Sequence, residues 1–151
     1  MLVLDASLAV ELALDRIGER AGEALGGEQL VAPPLLWSEV PSVLSEMAFR
    51  GDISRELAER ALKRFLEGEI KVTERRPEGL TMLAWQLAAE LGRAKTYDAE
   101  YLAAARILGT RMVTLDMRLR RGAAHLGLVV TPTELDTPDP PAVGPSEPVP
   151  S

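Results

Sequence analysis

MLVLDASLAV (residues 1–10) sets an apolar run, Leu2, Val3 and Leu4, directly against a carboxylate, Asp5, and then changes to a helical spacing. A strand buried on both faces reads as a continuous apolar run, whereas a half-exposed one alternates. The opening therefore predicts a strand of a parallel sheet that ends at an acid. Residues 112–121, MVTLDMRLRR, repeat the arrangement at Asp116. These two stretches decide the fold class and single out two acids at the ends of hydrophobic strands.

Working outward from them, LVLD (2–5), QLVA (29–32), IKV (70–72), RMVTL (111–115) and LGLVV (126–130) read as short strands. Helical patterns lie between: roughly 7–25 in two pieces, then 34–50, 54–67, 78–92, 98–109 and 117–125. The clearest places Leu80, Leu83, Ala84, Leu87, Ala88 and Leu91 on one face and stops at Gly92. Another aligns Leu57, Ala61 and Phe65. Apolar strands separated by helices predict an α/β domain of three layers, α/β/α, with a mostly parallel central sheet of four to five strands.

The chain has 151 residues with 46% hydrophobic content, enough for one sizeable core. Six of its eleven prolines fall in the last sixteen residues, DTPDPPAVGPSEPVPS. Those residues contain almost nothing large and apolar to offset their ordering entropy. One folded domain over residues 1–135 and a Pro-rich, acidic, disordered tail over 136–151 are expected. No stretch approaches the roughly 18 apolar residues a membrane span needs, and no secretory leader pattern opens the chain, so a soluble, cytoplasmic protein is expected.

Cysteine is absent and His125 is the single histidine. Disulfides, thiolate nucleophiles and Cys-ligated zinc are excluded, and Ser-His-Asp triads and multi-histidine metal sites are disfavoured. Chemistry must rest on carboxylates, hydroxyls and basic side chains. The net charge is −6, but it is unevenly spread: residues 93–121 carry seven basic and three acidic groups. That basic block surrounds Asp98 and Asp116.

In an open parallel sheet, ligands sit outside the carboxyl ends of the strands, where helix N-termini also point. Asp5 and Asp116 belong to that edge, and each alone is explained as a helix cap. Asp98 opens an apolar helix and could equally be a first-turn acid. Glu39 lies among apolar residues in APPLLWSEVPSVLSEM (32–47), where an unpaired buried carboxylate is costly; its alternative is an exposed or first-turn position. Together, four acids at the starts of helices that follow strands can converge on one cleft, where like charges raise each other's pKa unless a cation compensates. Oxygen ligands without Cys or His select Mg²⁺ or Mn²⁺ over zinc.

VLDASLAV (3–10), PPLLWSEVPSVL (33–44), TYDAEYLAAA (96–105) and MVTLDMRL (112–119) resemble, in order and spacing, the four motifs of PIN-domain ribonucleases, most of all the VapC-type toxins of toxin–antitoxin pairs. The resemblance covers residues 1 to about 133. It implies an acidic quartet at Asp5, Glu39, Asp98 and Asp116 that binds Mg²⁺ or Mn²⁺, with Thr114 shaping the site. It also implies metal-dependent cleavage of single-stranded or looped RNA, a homodimer, and a VapB-type antitoxin that covers the site. Two positions depart from the family pattern. Ser42 stands where Asn is frequent. Pro41 lies inside the expected helix, so that the helix either kinks there or restarts at Ser38.

Arg93, Lys95 and Arg118 flank the acids in sequence and read either as a basic rim for the RNA backbone or as ordinary solvated charge. Tyr97 and Tyr101 are read as packing residues before stacking platforms, Trp37 and Trp85 as core or partner contacts, and His125 as an incidental helical residue. The apolar excess of residues 33–49 would suit an antitoxin segment or a second copy if part stays exposed. Rival readings fit less well. A haloacid-dehalogenase-type phosphatase needs a second Asp where Ser7 stands, and a receiver domain needs a phosphoacceptor where Asp52 falls in a turn between helices. A housekeeping RNA-processing nuclease and a non-catalytic PIN-like binding module stay open beside the toxin.

Overall fold

The computed structural model describes residues 1–93 and 95–135; the expectations for the Pro-rich tail lie outside them. Five strands, β1 (Leu2–Leu4), β2 (Leu30–Ala32), β3 (Val72–Glu74), β4 (Arg111–Val113) and β5 (Val129–Val130), form one sheet in the order β3-β2-β1-β4-β5. Every pairing is parallel: Leu2 is opposite both Leu30 and Arg111, and Val3 opposite both Val31 and Met112. The three-layer α/β/α architecture expected from the apolar runs is the one found.

β1 is the central strand, and Leu2, Val3 and Leu4 are all buried. Fully burying side chains of this size contributes roughly 1.5–3 kcal/mol each, which fixes the strand's register against both neighbours. The helices are α1 (Ala6–Ala13), α2 (Glu19–Gly26), α3 (Leu36–Arg50), α4 (Arg55–Leu66), α5 (Leu80–Glu90), α6 (Tyr97–Ile107) and α7 (Met117–Gly122). α1, α3 and α4 pack on one another; α5 packs on α6, which lies against β1 and β4. Leu80, Ala84, Leu87 and Ala88 form the buried stripe of α5, as their spacing predicts.

Several boundaries differ from the sequence reading, β5 among them, which holds only the last two residues of LGLVV; three of the differences have a local reason. β3 begins at Val72, two residues later than expected, because a tight turn from the Ile70 carbonyl to the Val72 N–H (2.9 Å) holds Ile70 off the sheet. As an edge strand with half-buried and exposed positions, β3 also lacks the apolar run that marks the others. The last helix divides at Ala123 into α7 and a 3₁₀ turn, Ala124–Leu126. α3 runs unbroken through Pro41 from Leu36, so the helix does not restart at Ser38; Pro41 is its sixth residue, and the bond its N–H would give the Trp37 carbonyl is absent. Among the described residues no helix is long and apolar enough to cross a membrane.

Candidate active site

The sheet order makes β1 and β4 neighbours, while the chain leaves β1 toward β2 and β4 toward β5. That is a topological switch point, and the crevice outside its carboxyl end is where open parallel sheets bind ligands. Asp5 follows β1, Thr114 and Asp116 follow β4, and α3 follows β2 with Glu39 in its first turn. α6 precedes β4 and so starts at the same edge, with Asp98 in its first turn. The topology thus carries all four sequence-selected acids to one side of the sheet.

Asp5 is the most constrained. It is 6% exposed, caps α1 by accepting from the Leu8 N–H (3.1 Å), and receives the hydroxyls of Ser7 (Oγ to Oδ1, 2.7 Å) and Thr114 (Oγ1 to Oδ2). Each hydroxyl has one hydrogen to give, and both are given to Asp5. In return Ser7 Oγ accepts from the Leu115 N–H (3.1 Å) and Thr114 Oγ1 from the Asp116 N–H (3.0 Å). The result is a closed knot that joins the end of β1 to the turn after β4. Burial pushes the Asp5 carboxyl up to about 6 against these donors, which pull it down, and repulsion from Asp116 adds to the rise.

Asp116 is exposed and caps α7, its Oδ1 accepting from the N–H groups of Arg118 (2.9 Å) and Leu119 (3.1 Å), which leaves Oδ2 open. The cap reading of Asp5 and Asp116 is therefore correct as far as it goes, and compatible with a second role.

The other two acids are held more loosely. Glu39, half-buried, accepts from the Tyr101 hydroxyl at Oε2 (2.6 Å). Asp98 stands 3.8 Å from Arg93 Nη1, both partly exposed. Burial raises the pKa of Glu39, the Tyr101 bond opposes it, and repulsion from Asp98 and Glu100 adds to it. Burial likewise raises Asp98, with Arg93 opposing and Asp116 reinforcing. The four carboxylates thus lie within electrostatic reach of one another. Among the described residues, however, no three Asp, Glu or His side chains stand close enough to form a ready-made metal site.

The basic residues divide. Arg93 is placed by the turn that ends α5, where Gly92 takes φ 64° and the Arg93 N–H returns to the Ala88 carbonyl (2.8 Å). Arg118 is exposed beside Asp116. Lys95 lies over the exposed ring of Tyr97, 5.9 Å from its centre. Ser42 is exposed, three residues after Glu39 on α3, and donates to Glu46 (3.5 Å). His125 pairs with Glu90 at 3.6 Å on the surface. Trp37 packs on Phe65 (5.9 Å between centroids), whereas Trp85 is 65% exposed.

Three residues of the site escape the sequence reading. Ser7 reads there only as a missing second Asp, and Tyr101 as packing, yet one completes the knot around Asp5 and the other holds Glu39. Glu100 adds a fifth acid, half-buried with its pKa raised, with Arg76 beside it. Tyr101 had one available signal: it sits three residues after Asp98, on the same helix face.

Residues 2–124 match the PIN domain family. The chain belongs to the PIN-domain family. It is 33% identical over 133 residues to VapC ribonuclease Mb0985 of Mycobacterium bovis and to Ribonuclease VapC9 of Mycobacterium tuberculosis, which spans 87% of this chain and 99% of each relative. The crystal structure of PAE2754 from Pyrobaculum aerophilum superposes with a TM-score of 0.64 at 25% identity, over 89% of this chain and 90% of that one. The resemblance carried by the four motifs is thereby confirmed.

Proposed function

We propose that the chain is a metal-dependent endoribonuclease, the toxin of a type II toxin–antitoxin pair. One observation carries the reading: four carboxylates from distant parts of the chain lie along the switch-point edge, in a protein alike over 87% of its length to ribonucleases. Asp5, Glu39 and Asp98, whose carboxyls are raised by burial and by neighbouring acids, call for a compensating cation. The all-oxygen donor set fits Mg²⁺ or Mn²⁺. Asp5, Glu39, Asp98 and Asp116 would hold the ion, drawn together from their present separation. A bound ion supplies positive charge that lowers the pKa of water and neutralises charge developing on a phosphodiester.

The chain's own residues do the rest. Ser7, Thr114 and the Leu8 N–H fix the direction of Asp5, and Tyr101 fixes Glu39 through Oε2, which leaves Oε1 to face the cleft. Arg93, Lys95 and Arg118 hold the RNA backbone at the rim. In the same reading the protein acts in the cytoplasm as a homodimer restrained by a VapB-type antitoxin. A groove of about 450 Å³ between α3 and α4, lined by Pro41, Leu44, Ala48, Phe49 and Leu62, offers that partner an apolar seat, since Phe49 is 93% exposed.

The test is cleavage of a mixed pool of structured RNAs with Mg²⁺, Mn²⁺ or EDTA, comparing wild type with Asp5→Asn and Asp98→Asn. Cutting that needs the metal and both acids is expected. A wild type, shown free of antitoxin, that cuts nothing and gives no heat of Mg²⁺ or Mn²⁺ binding would return the acids to their capping roles.

A further inference from the structure

A cavity of about 610 Å³ opens next to Asp116, walled by Glu11, Arg16, Ile17, Leu115, Met117 and Pro132. Its shape follows from how α1 ends. The Arg16 N–H returns to the Glu11 carbonyl (2.9 Å) and the Asp15 N–H to the Leu12 carbonyl (3.1 Å), while Asp15 takes φ 58°, the left-handed position glycine usually fills. This turn leads the chain out of the helix sharply, so that Arg16 lines the cavity with an exposed side chain that forms no ion pair among the described residues. Across from it, Leu115 and Met117 expose apolar side chains on either side of Asp116.

We propose that this cavity seats an unpaired base of the RNA substrate beside the acids, an inference that rests on the nuclease reading. The cavity and the acids share one backbone: the Leu115 N–H binds Ser7 Oγ, which donates to Asp5. A group in the cavity is thereby held at a fixed offset from the reacting centre. Its volume lies in the range of small-ligand sites, which pair apolar walls with a few polar groups. Thr131 and Thr133, whose hydroxyls are 3.0 Å apart, supply such groups on the same wall. Sequence-specific recognition of RNA splays unpaired bases onto flat or apolar surfaces and reads their edges. Arg16 can meet the adjoining phosphate, and Glu134, on the same wall, is already paired with Arg120.

The test is binding in EDTA, which separates recognition from cutting. The full chain is titrated into a fluorescent single-stranded RNA hexamer of mixed sequence, and into ribose-phosphate hexamers that lack the base at one position in turn. Wild type should bind at least one abasic hexamer about tenfold or more weakly than the parent. Ala21→Phe, which fills the cavity from α2 and leaves Asp5, Glu39, Asp98 and Asp116 unchanged, should erase that difference, and Met117→Ala, at an exposed wall, should reduce it if Ala21→Phe does not fold. Equal binding of parent and abasic hexamers by wild type, or discrimination that survives both variants, would overturn the assignment and leave the cavity to a protein segment. Cleavage with Mg²⁺ or Mn²⁺ is scored separately: base discrimination without cutting upholds the base site and defeats the nuclease reading.

Discussion

The two halves of the acidic edge are built differently. At the β1/β4 side, Asp5 is buried, accepts three donors and ties two strands through Ser7 and Thr114. At the α3/α6 side, Glu39 has a single hydrogen bond from Tyr101, and Asp98 faces Arg93 at 3.8 Å across a partly exposed gap. The first half is part of the fold, and the second is arranged upon it. A ligand can therefore move Glu39 and Asp98 cheaply but must come to Asp5 where it stands. This accounts for a set of acids that repel one another without forming a finished metal site.

Loss of an acid should break the comparison most visibly. Asp5→Ala and Asp98→Ala should each lower RNA cleavage more than about 100-fold, beyond what changes to supporting residues cause. Only Asp5→Ala should also destabilise the protein, by about 1–3 kcal/mol in urea denaturation, because it leaves buried donors unpaired. Equal stability of the two variants would erase the distinction drawn between the halves.

The next effect is pH-dependent. Asp5 titrates near 3.8 when unfolded and at about 6 in the fold, so the folded state binds a proton over that interval that the unfolded state releases. The stability held by the neutral acid is complete below about pH 4 and is lost as pH rises through about 6, on the order of 3 kcal/mol. Glu134 behaves in the opposite sense: paired with Arg120, its carboxyl is lowered to about 2, and what it contributes is lost as pH falls from 4.5 toward 2. Denaturation of wild type against Asp5→Asn at pH 4 and pH 7 isolates the first effect, and a constant difference between them would refute it.

A subtler probe sharpens the looser half. Tyr101→Phe keeps the buried ring and removes only the hydroxyl from Glu39, so the melting temperature should hold nearly constant. Metal affinity by calorimetry should fall about tenfold, the scale of changes in groups that orient a ligand. Unchanged affinity would reduce Tyr101 to packing.

The smallest effects belong to the rim. Arg118→Ala should weaken RNA binding severalfold and lower the slope of log affinity against log salt by about one. Ser42→Ala, which removes a hydroxyl that donates to Glu46 and to no acid of the quartet, should change nothing beyond twofold in cleavage.

The fold was legible wherever burial left a pattern. β1, β2 and β4 are buried enough to read as apolar runs, and α5 shows its stripe plainly. The start of β3 is not legible because an edge strand lacks that signal, and the restart weighed at Pro41 does not occur because a helix of fifteen residues can bear one missing interior bond. The four acids stood out because carboxylates at strand ends and helix starts are conspicuous on a hydrophobic background. Ser7 and Tyr101 did not, since a serine in a first turn and a tyrosine on a buried helix face have ordinary explanations. Their roles depend on partners 108 and 62 residues away, which no local spacing encodes.

The bond from Thr114 to Asp5 spans 109 residues, and β1 finds β4 only across that distance. Such long-range pairing forms slowly and late. During synthesis, β1 must wait for most of the domain to emerge before the turn after β4 can close on it. A ribosome making this protein therefore carries a chain whose acids are dispersed until the last quarter of the domain arrives.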